Sequence, residues 1–166
     1  DLRTELVYAL GDENRRVREA GFRLAERLKD DQLVDLLLQY ARKGESDLAG
    51  GAIRCLGRLK SEKALKVLLS LLDHSTDSDR LVSCCRALGQ IGNPEAIDPL
   101  AAILRPTKWY SLRKRWSPQV RSIAAFALGQ IDHPRATGIL AEYVNDPDSR
   151  VKRVARSRVR RRGEGP

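Results

Sequence analysis

The chain has 166 residues, 42% hydrophobic and 32% charged, a balance that suits one folded domain with a moderate core and excludes a disordered tract. No apolar run approaches the ~18 residues that a membrane helix requires, and the opening DLRTELVYALGDENRR has no basic-then-apolar leader pattern. The net charge of +9 is unevenly placed: residues 105–116 hold five Arg or Lys, residues 150–162 hold eight, neither stretch has an acid, and the remainder sums to −4.

In chain order, LRTELVYAL fits the second helix of a unit whose first helix is missing. The chain also contains no Met, so the expectation is a piece of a longer array. Four later stretches then overlay: VREAGFRLAERL from Val17, LAGGAIRCLGRL from Leu48, RLVSCCRALGQI from Arg80 and VRSIAAFALGQI from Val120. In each, small or apolar residues fall three, four, seven, eight and eleven places after the first, which is the spacing of one helix face. Three copies carry a Gly nine places in, at Gly57, Gly89 and Gly129. A Gly inside a helix costs about 1 kcal/mol against Ala; close approach of a neighbouring helix would offset that. Glu26 takes this place in the first copy and predicts a looser contact there.

A second helix follows each first helix after a short break. The openings are Asp30, Ser61, Asn93-Pro94 and His133-Pro134, where Asp, Ser and Asn cap well and Pro is tolerated in the first turn. The second helices also overlay: Leu33, Ala64, Ala96 and Ala136 correspond, then Leu37, Leu68, Leu100 and Leu140, then Ala41, Leu72, Leu104 and Val144. First helices start at 17, 48, 80, 120 and, more weakly, at Val151, so the period is near 30 with two helices per unit. One such pair cannot bury its own apolar face, and stacking supplies the core. The expected organisation is a half repeat over 1–11, repeats over about 12–43, 44–74, 75–104 and 117–146, a basic loop over 105–116 and a capping helix over 148–162.

DENRRVREAGFRLAERL, ALGQIGNPEAIDPLAAIL and VRSIAAFALGQIDHPRATGILAEYV resemble HEAT repeats of the short bacterial type, the kind also found in phycobilisome lyases. The resemblance implies an all-α, right-handed α-solenoid of about four helical-hairpin repeats plus terminal half-repeats. It implies that the second helices line the concave side; the register puts Gln32, Asp35, Gln39, Lys63, Lys66, Ser70, Glu95, Asp98, Arg135 and Glu142 at their outward positions, with mixed sign. It also implies that an Asp before a first helix pairs with a cation at its start. Asp12 with Arg18 and Asp146 with Lys152 fit that arrangement, whereas Arg121 has Arg115 where the Asp would stand. A bilin-lyase-like subunit is the least favoured reading. HEAT-like enzymes that hold two irons do so through His-Glu pairs, and the sequence has none.

The 40-residue interval between the starts at 80 and 120 contains the stretch RPTKWYSLRKRW, read as a rim loop between two units. Its candidate contact residues are Arg105, Lys108, Trp109, Tyr110, Arg113, Lys114, Arg115 and Trp116; Trp and Arg are enriched at binding hot spots. The alternative is that Trp109, Tyr110 and Trp116 fold back to plug the seam between units. The C-terminal helix adds Arg150, Lys152, Arg153 and Arg156 as candidates, while Val151, Val154, Ala155 and Val159 form its apolar stripe. Arg23, Arg54 and Arg86 share one place in consecutive first helices and form a ladder that ends at Phe126. By the register, Cys84 faces the core and Cys85 lies nearer the surface.

The chemistry is thin. His74 and His133 sit in loop or cap positions without partners, so neither a metal nor another cofactor is expected. The three cysteines, Cys55, Cys84 and Cys85, argue for a reducing, cytoplasmic setting. The function expected is that of a non-enzymatic scaffold binding another protein, one with an acidic surface, through the solenoid and the basic loop. The alternative is a nucleic-acid binder using the loop and the C-terminal helix.

Overall fold

The structure, a computed structural model, describes residues 2–28, 30–43, 45–105 and 116–163. Ten α-helices and no strand occur among them. They are α1 (Leu2–Leu10), α2 (Arg15–Leu28), α3 (Asp31–Lys43), α4 (Ser46–Arg58), α5 (Leu65–His74), α6 (Ser78–Ile91), α7 (Ile97–Leu104), α8 (Pro118–Gln130), α9 (Pro134–Ala141) and α10 (Ser149–Gly163). Helices α5 and α7 are entered through 3-10 turns, Glu62–Ala64 and Pro94–Ala96. Caps fix several starts: Asp77 accepts the Asp79 N–H, Asn93 that of Glu95, Ser117 that of Val120 and the His133 ring nitrogen that of Arg135. Gly92 ends α6 at φ 78°, in the left-handed region where Gly has no steric cost.

The even-numbered helices from α2 to α10 stack side by side, and each odd-numbered helix lies closest to the even one that follows it. The result is an all-α solenoid. Its core is the register seen in the sequence: Leu37, Leu68, Leu100 and Leu140 are all buried, as are Leu33, Ala64, Ala96 and Ala136. On the first-helix side Ala52, Cys84 and Ala124 are buried one above the other, and Leu56, Leu88 and Leu128 form a second row. The helix starting near Val151 is α10, and Val151 and Ala155 are its fully buried anchors.

The buried arc of a first helix is wider than the predicted stripe. The fifth place is also buried, as Phe22, Ile53, Cys85 and Ala125. Cys85 is therefore not near the surface: α6 is packed by α4 on one flank, α8 on the other and α5 behind, so little of it remains free. At α2, by contrast, Val17 and Leu28 at the two ends are exposed.

The helical glycines set the spacing. A Cβ on Gly57 would lie 2.6 Å from the Ala87 Cα, and one on Gly89 would lie 2.7 Å from the Ala127 Cα, closer than real atoms pack. At Gly129 the space is filled by the Arg158 side chain, 2.5 Å from where a Cβ would sit. Between α2 and α4 the arrangement differs. Phe22 takes the space above Gly51, where a Cβ would come within 2.3 Å of the ring, and Glu26 reaches across to Arg58. The backbones of α2 and α4 accordingly approach less closely than those of α4, α6 and α8.

Replacing Gly89 with Val should destabilise the fold by about 1–3 kcal/mol or more, at roughly 2–4 °C per kcal/mol for a chain of this size. Gly138, in the exposed middle of α9 with open space around it, is the control. There Ala should instead stabilise by about 0.5–1 kcal/mol. Thermal melts followed by circular dichroism read both; a neutral Gly89→Val would mean that the close contact does not exist.

Candidate interaction surface

Charged side chains in this stack fall into two groups, those that join neighbouring units and those left facing outward. Arg18 belongs to the first. Its guanidinium donates to the carbonyl oxygens of Asp12 and Glu13, both at 2.8 Å, and pairs with the carboxylate of Asp47 on α4. The expected Asp12–Arg18 charge pair is thus corrected: the Asp12 carboxylate accepts the Asn14 N–H at 2.7 Å, and Arg18 reaches on into the next unit. Arg121 does the same. It grips both oxygens of Asp146, at 2.7 and 3.3 Å, and donates to the Leu104 carbonyl at 3.0 Å. The cation on Asp146 is therefore Arg121 on α8, in place of the expected Lys152 on α10. Asp146 is nearly sealed from solvent, with 3% of its side chain exposed. Arg58 with Glu26, at 3.0 Å, and Arg135 with Asp98, at 2.5 Å, are similar links on open surface.

The second group includes the ladder. Arg23, Arg54 and Arg86 are exposed at the same place on α2, α4 and α6, and among the described residues none of them has an ion pair or hydrogen bond. Between α4 and α6 lies a groove of about 480 Å3 whose walls include Arg54 and Arg86 and whose floor is Gly50 and Ser83. A smaller one of about 260 Å3 lies between α2 and α4, bordered by Arg23 and Arg54. Phe126 holds the fourth place, and the Arg158 guanidinium stacks on its ring at 4.8 Å. The sequence indicated the row; it did not indicate the α4–α6 groove, because its floor depends on Gly50 and Ser83 meeting across two helices.

Of the other candidate contact residues, Lys108, Trp109, Tyr110, Arg113, Lys114 and Arg115 lie outside the described residues. Arg105 is exposed at the end of α7, and Trp116 is half-buried against the core just before the Ser117 cap. On α10, Arg150 and Arg153 are exposed and Lys152 is half-buried. Arg156 is engaged within the fold: it donates to the Val144 carbonyl at 2.8 Å and to the Asn145 side chain at 3.0 Å, closing the α9–α10 link. Beside that link, burial and Glu142 push the Tyr143 phenol pKa up, while Arg105 and Arg121 pull it back.

Residues 3–84 and 106–163 match the family described as HEAT repeats, and residues 83–105 match the PBS lyase HEAT-like repeat. The chain belongs to the HEAT-repeat family. Deoxyhypusine hydroxylase of Rattus norvegicus is 35% identical over 74 residues, which are 45% of this chain. The match spans only 22% of that protein's length.

Within the HEAT stack the nucleophiles are sealed. All three thiols are free and buried. Burial pushes Cys84 up to about 12 and Cys55, with Glu26 adding to the effect, also to about 12; Cys85 is pushed higher still, first by burial and then by Cys84. His133 caps α9, and His74 lies 2.8 Å from the Ser70 carbonyl. Among the described residues no group of His, Cys, Asp and Glu could hold a metal, and no helix is long and apolar enough to cross a membrane.

Two outcomes follow. Asp146→Ala should cost about 3–5 kcal/mol by stranding Arg121, whereas Asp98→Ala, which breaks an exposed pair, should cost less than about 1 kcal/mol; denaturant titration compares them. A thiol-exchange reagent at mildly alkaline pH should find no reactive cysteine in the folded chain and all three, Cys55, Cys84 and Cys85, after unfolding. One fast-reacting thiol in the native state would contradict the burial described.

Proposed function

We infer that this chain is a non-enzymatic scaffold that binds another protein through the charged surface of its repeat stack, with the basic and aromatic segment 105–116 as a further contact. The observation that carries the reading is the ladder Arg23, Arg54 and Arg86: exposed guanidiniums in register, unpaired among the described residues, beside arginines that are bound into joints. Fixed cations on a rigid support speed the encounter with an acidic partner and suppress wrong ones. The second-helix face offers less, because charges there cancel, as Asp98 and Arg135 do. Both ring nitrogens described above serve helix ends and the thiols are buried, which favours binding over catalysis. A match to 22% of the length of a hydroxylase gives hydroxylase chemistry no added weight here. Free buried thiols suit a reducing, cytoplasmic setting.

Nucleic-acid binding is the second reading, and α10 favours it. That helix, Ser149–Gly163, holds no acid, and Arg150, Arg153, Arg160 and Arg161 are exposed along it. The two readings separate in one experiment. The immobilised chain, offered a nuclease-treated extract alongside labelled single- and double-stranded oligonucleotides, should retain protein that added poly-glutamate displaces. Tight oligonucleotide binding whose affinity falls steeply with salt, with no protein retained, would overturn the scaffold reading.

A further inference from the structure

The arginine ladder and the groove beneath it fit a partner of particular shape. We propose that Arg23, Arg54 and Arg86, with Gly50 and Ser83 on the groove floor, dock an extended acidic segment of a partner protein that crosses α2, α4 and α6 and presents a carboxylate at every third residue. This rests on the scaffold reading and specifies the partner's chemistry.

Spacing selects the conformation. Packed helices lie about 8–10 Å apart axis to axis, and the glycine contact of α4 with α6 holds Arg54 and Arg86 at that pitch, with Arg23 one wider step away on α2. A polyproline-II segment rises ~3.1 Å per residue with three residues per turn, so one face repeats every ~9 Å. A β-strand repeats one face every ~6.6 Å and an α-helix every ~5.4 Å, and neither keeps step with the arginines. Each exposed Arg–carboxylate pair is weak alone; matched spacing lets the contacts act together.

The floor supports the same reading. A side chain at Gly50 would meet Arg54 Nη1 at 3.4 Å and Ser83 Oγ at 3.7 Å, so its absence keeps the groove open for a backbone. Ser83 is 8% exposed, lines the groove and has no hydrogen-bond partner among the described residues, which leaves its hydroxyl to donate to a carbonyl or carboxylate of the segment. Most acids nearby are already neutralised: Glu19 by Arg15, Glu26 by Arg58 and Asp47 by Arg18. Asp79 lies in the first turn of α6, seven residues before Arg86 and so about 10 Å along the axis. Asp79 and the Arg18-bound Asp47 line the same groove at the end away from Arg54 and Arg86, so the carboxylates of the segment face the arginine end.

The test uses fluorescein-labelled peptides and fluorescence anisotropy with the whole chain at low salt. One peptide repeats Glu-Pro-Pro; the other has the same composition with its glutamates grouped together. The repeating peptide should bind about tenfold or more tightly than the grouped one. R54E/R86E should abolish that preference, the milder R54Q/R86Q should reduce it, and Gly50→Leu should weaken binding by filling the floor, all with melts like the parent's. Equal binding of both peptides, or a preference that survives R54E/R86E, would overturn the proposal. If the repeating peptide fails to bind while the chain still retains protein that poly-glutamate displaces, the proposed docking row is wrong and the scaffold reading stands. If neither peptide nor protein is retained, both fall.

Discussion

A glycine of one first helix lies against the backbone of the next, and the rest of the chain is arranged around that contact. Gly57 sits on Ala87 and Gly89 on Ala127, each with no room for a single added carbon. The neighbouring places are small for the same reason: Ala52, Cys55, Ser83, Cys84, Ala124 and Ala127 are buried there, while the bulk that fills the core comes from the leucines of the second helices together with Ile53, Leu56, Leu81 and Leu88 on the first. Where the first copy departs from the rule, with Phe22 and Glu26, the spacing opens and a salt bridge to Arg58 spans it. Stacking also makes the surface periodic. Whatever stands at one outward place recurs on the next first helix, at the glycine-set pitch from α4 to α6 and at a wider step from α2 to α4, which is how three separate arginines become a ladder.

The arginines divide by what surrounds them. Arg18 and Arg121 stand at the same place in their units and reach forward to a carboxylate at the start of the next first helix, Asp47 in α4 and Asp146 just before α10. Arg121 adds the Leu104 carbonyl at the end of α7, so one side chain bonds to both segments flanking its own helix, including across the 105–116 insertion. Arg23, Arg54 and Arg86 stand one and a half turns further along their helices and pair with neither acid. The same residue type thus fastens the units at one level and faces the solvent at another.

Much of this was legible in the sequence. The places three, four, seven and eight after each start gave the core face, and the overlay of Leu37, Leu68, Leu100 and Leu140 gave the second helices, because burial acts on each unit alike. The glycines announced close contact because nothing else compensates a Gly in a helix. What could not be read was anything set by the neighbouring unit. The burial of Cys85 follows from helices on both flanks, the Arg18 partner is 29 residues away at Asp47, and Arg156 is drawn to the Val144 carbonyl by the α9–α10 link. The groove floor at Gly50 and Ser83 was hidden for the same reason, since a pattern within one unit does not show which two residues meet across two. Of the segment singled out for its aromatics, only Arg105 and Trp116 fall among the described residues.

The central claim is the even, glycine-set pitch of α4, α6 and α8, and a distance measurement tests it most directly. Spin labels at positions 54 and 126, introduced as cysteines while the buried native thiols stay unlabelled, span the two glycine-set pitches. Pulsed dipolar spectroscopy should give one narrow distribution near two helix spacings, about 16–20 Å between backbones plus the reach of the labels. A broad distribution, or a distance well beyond that, would show that the first helices do not form the regular row on which this account depends.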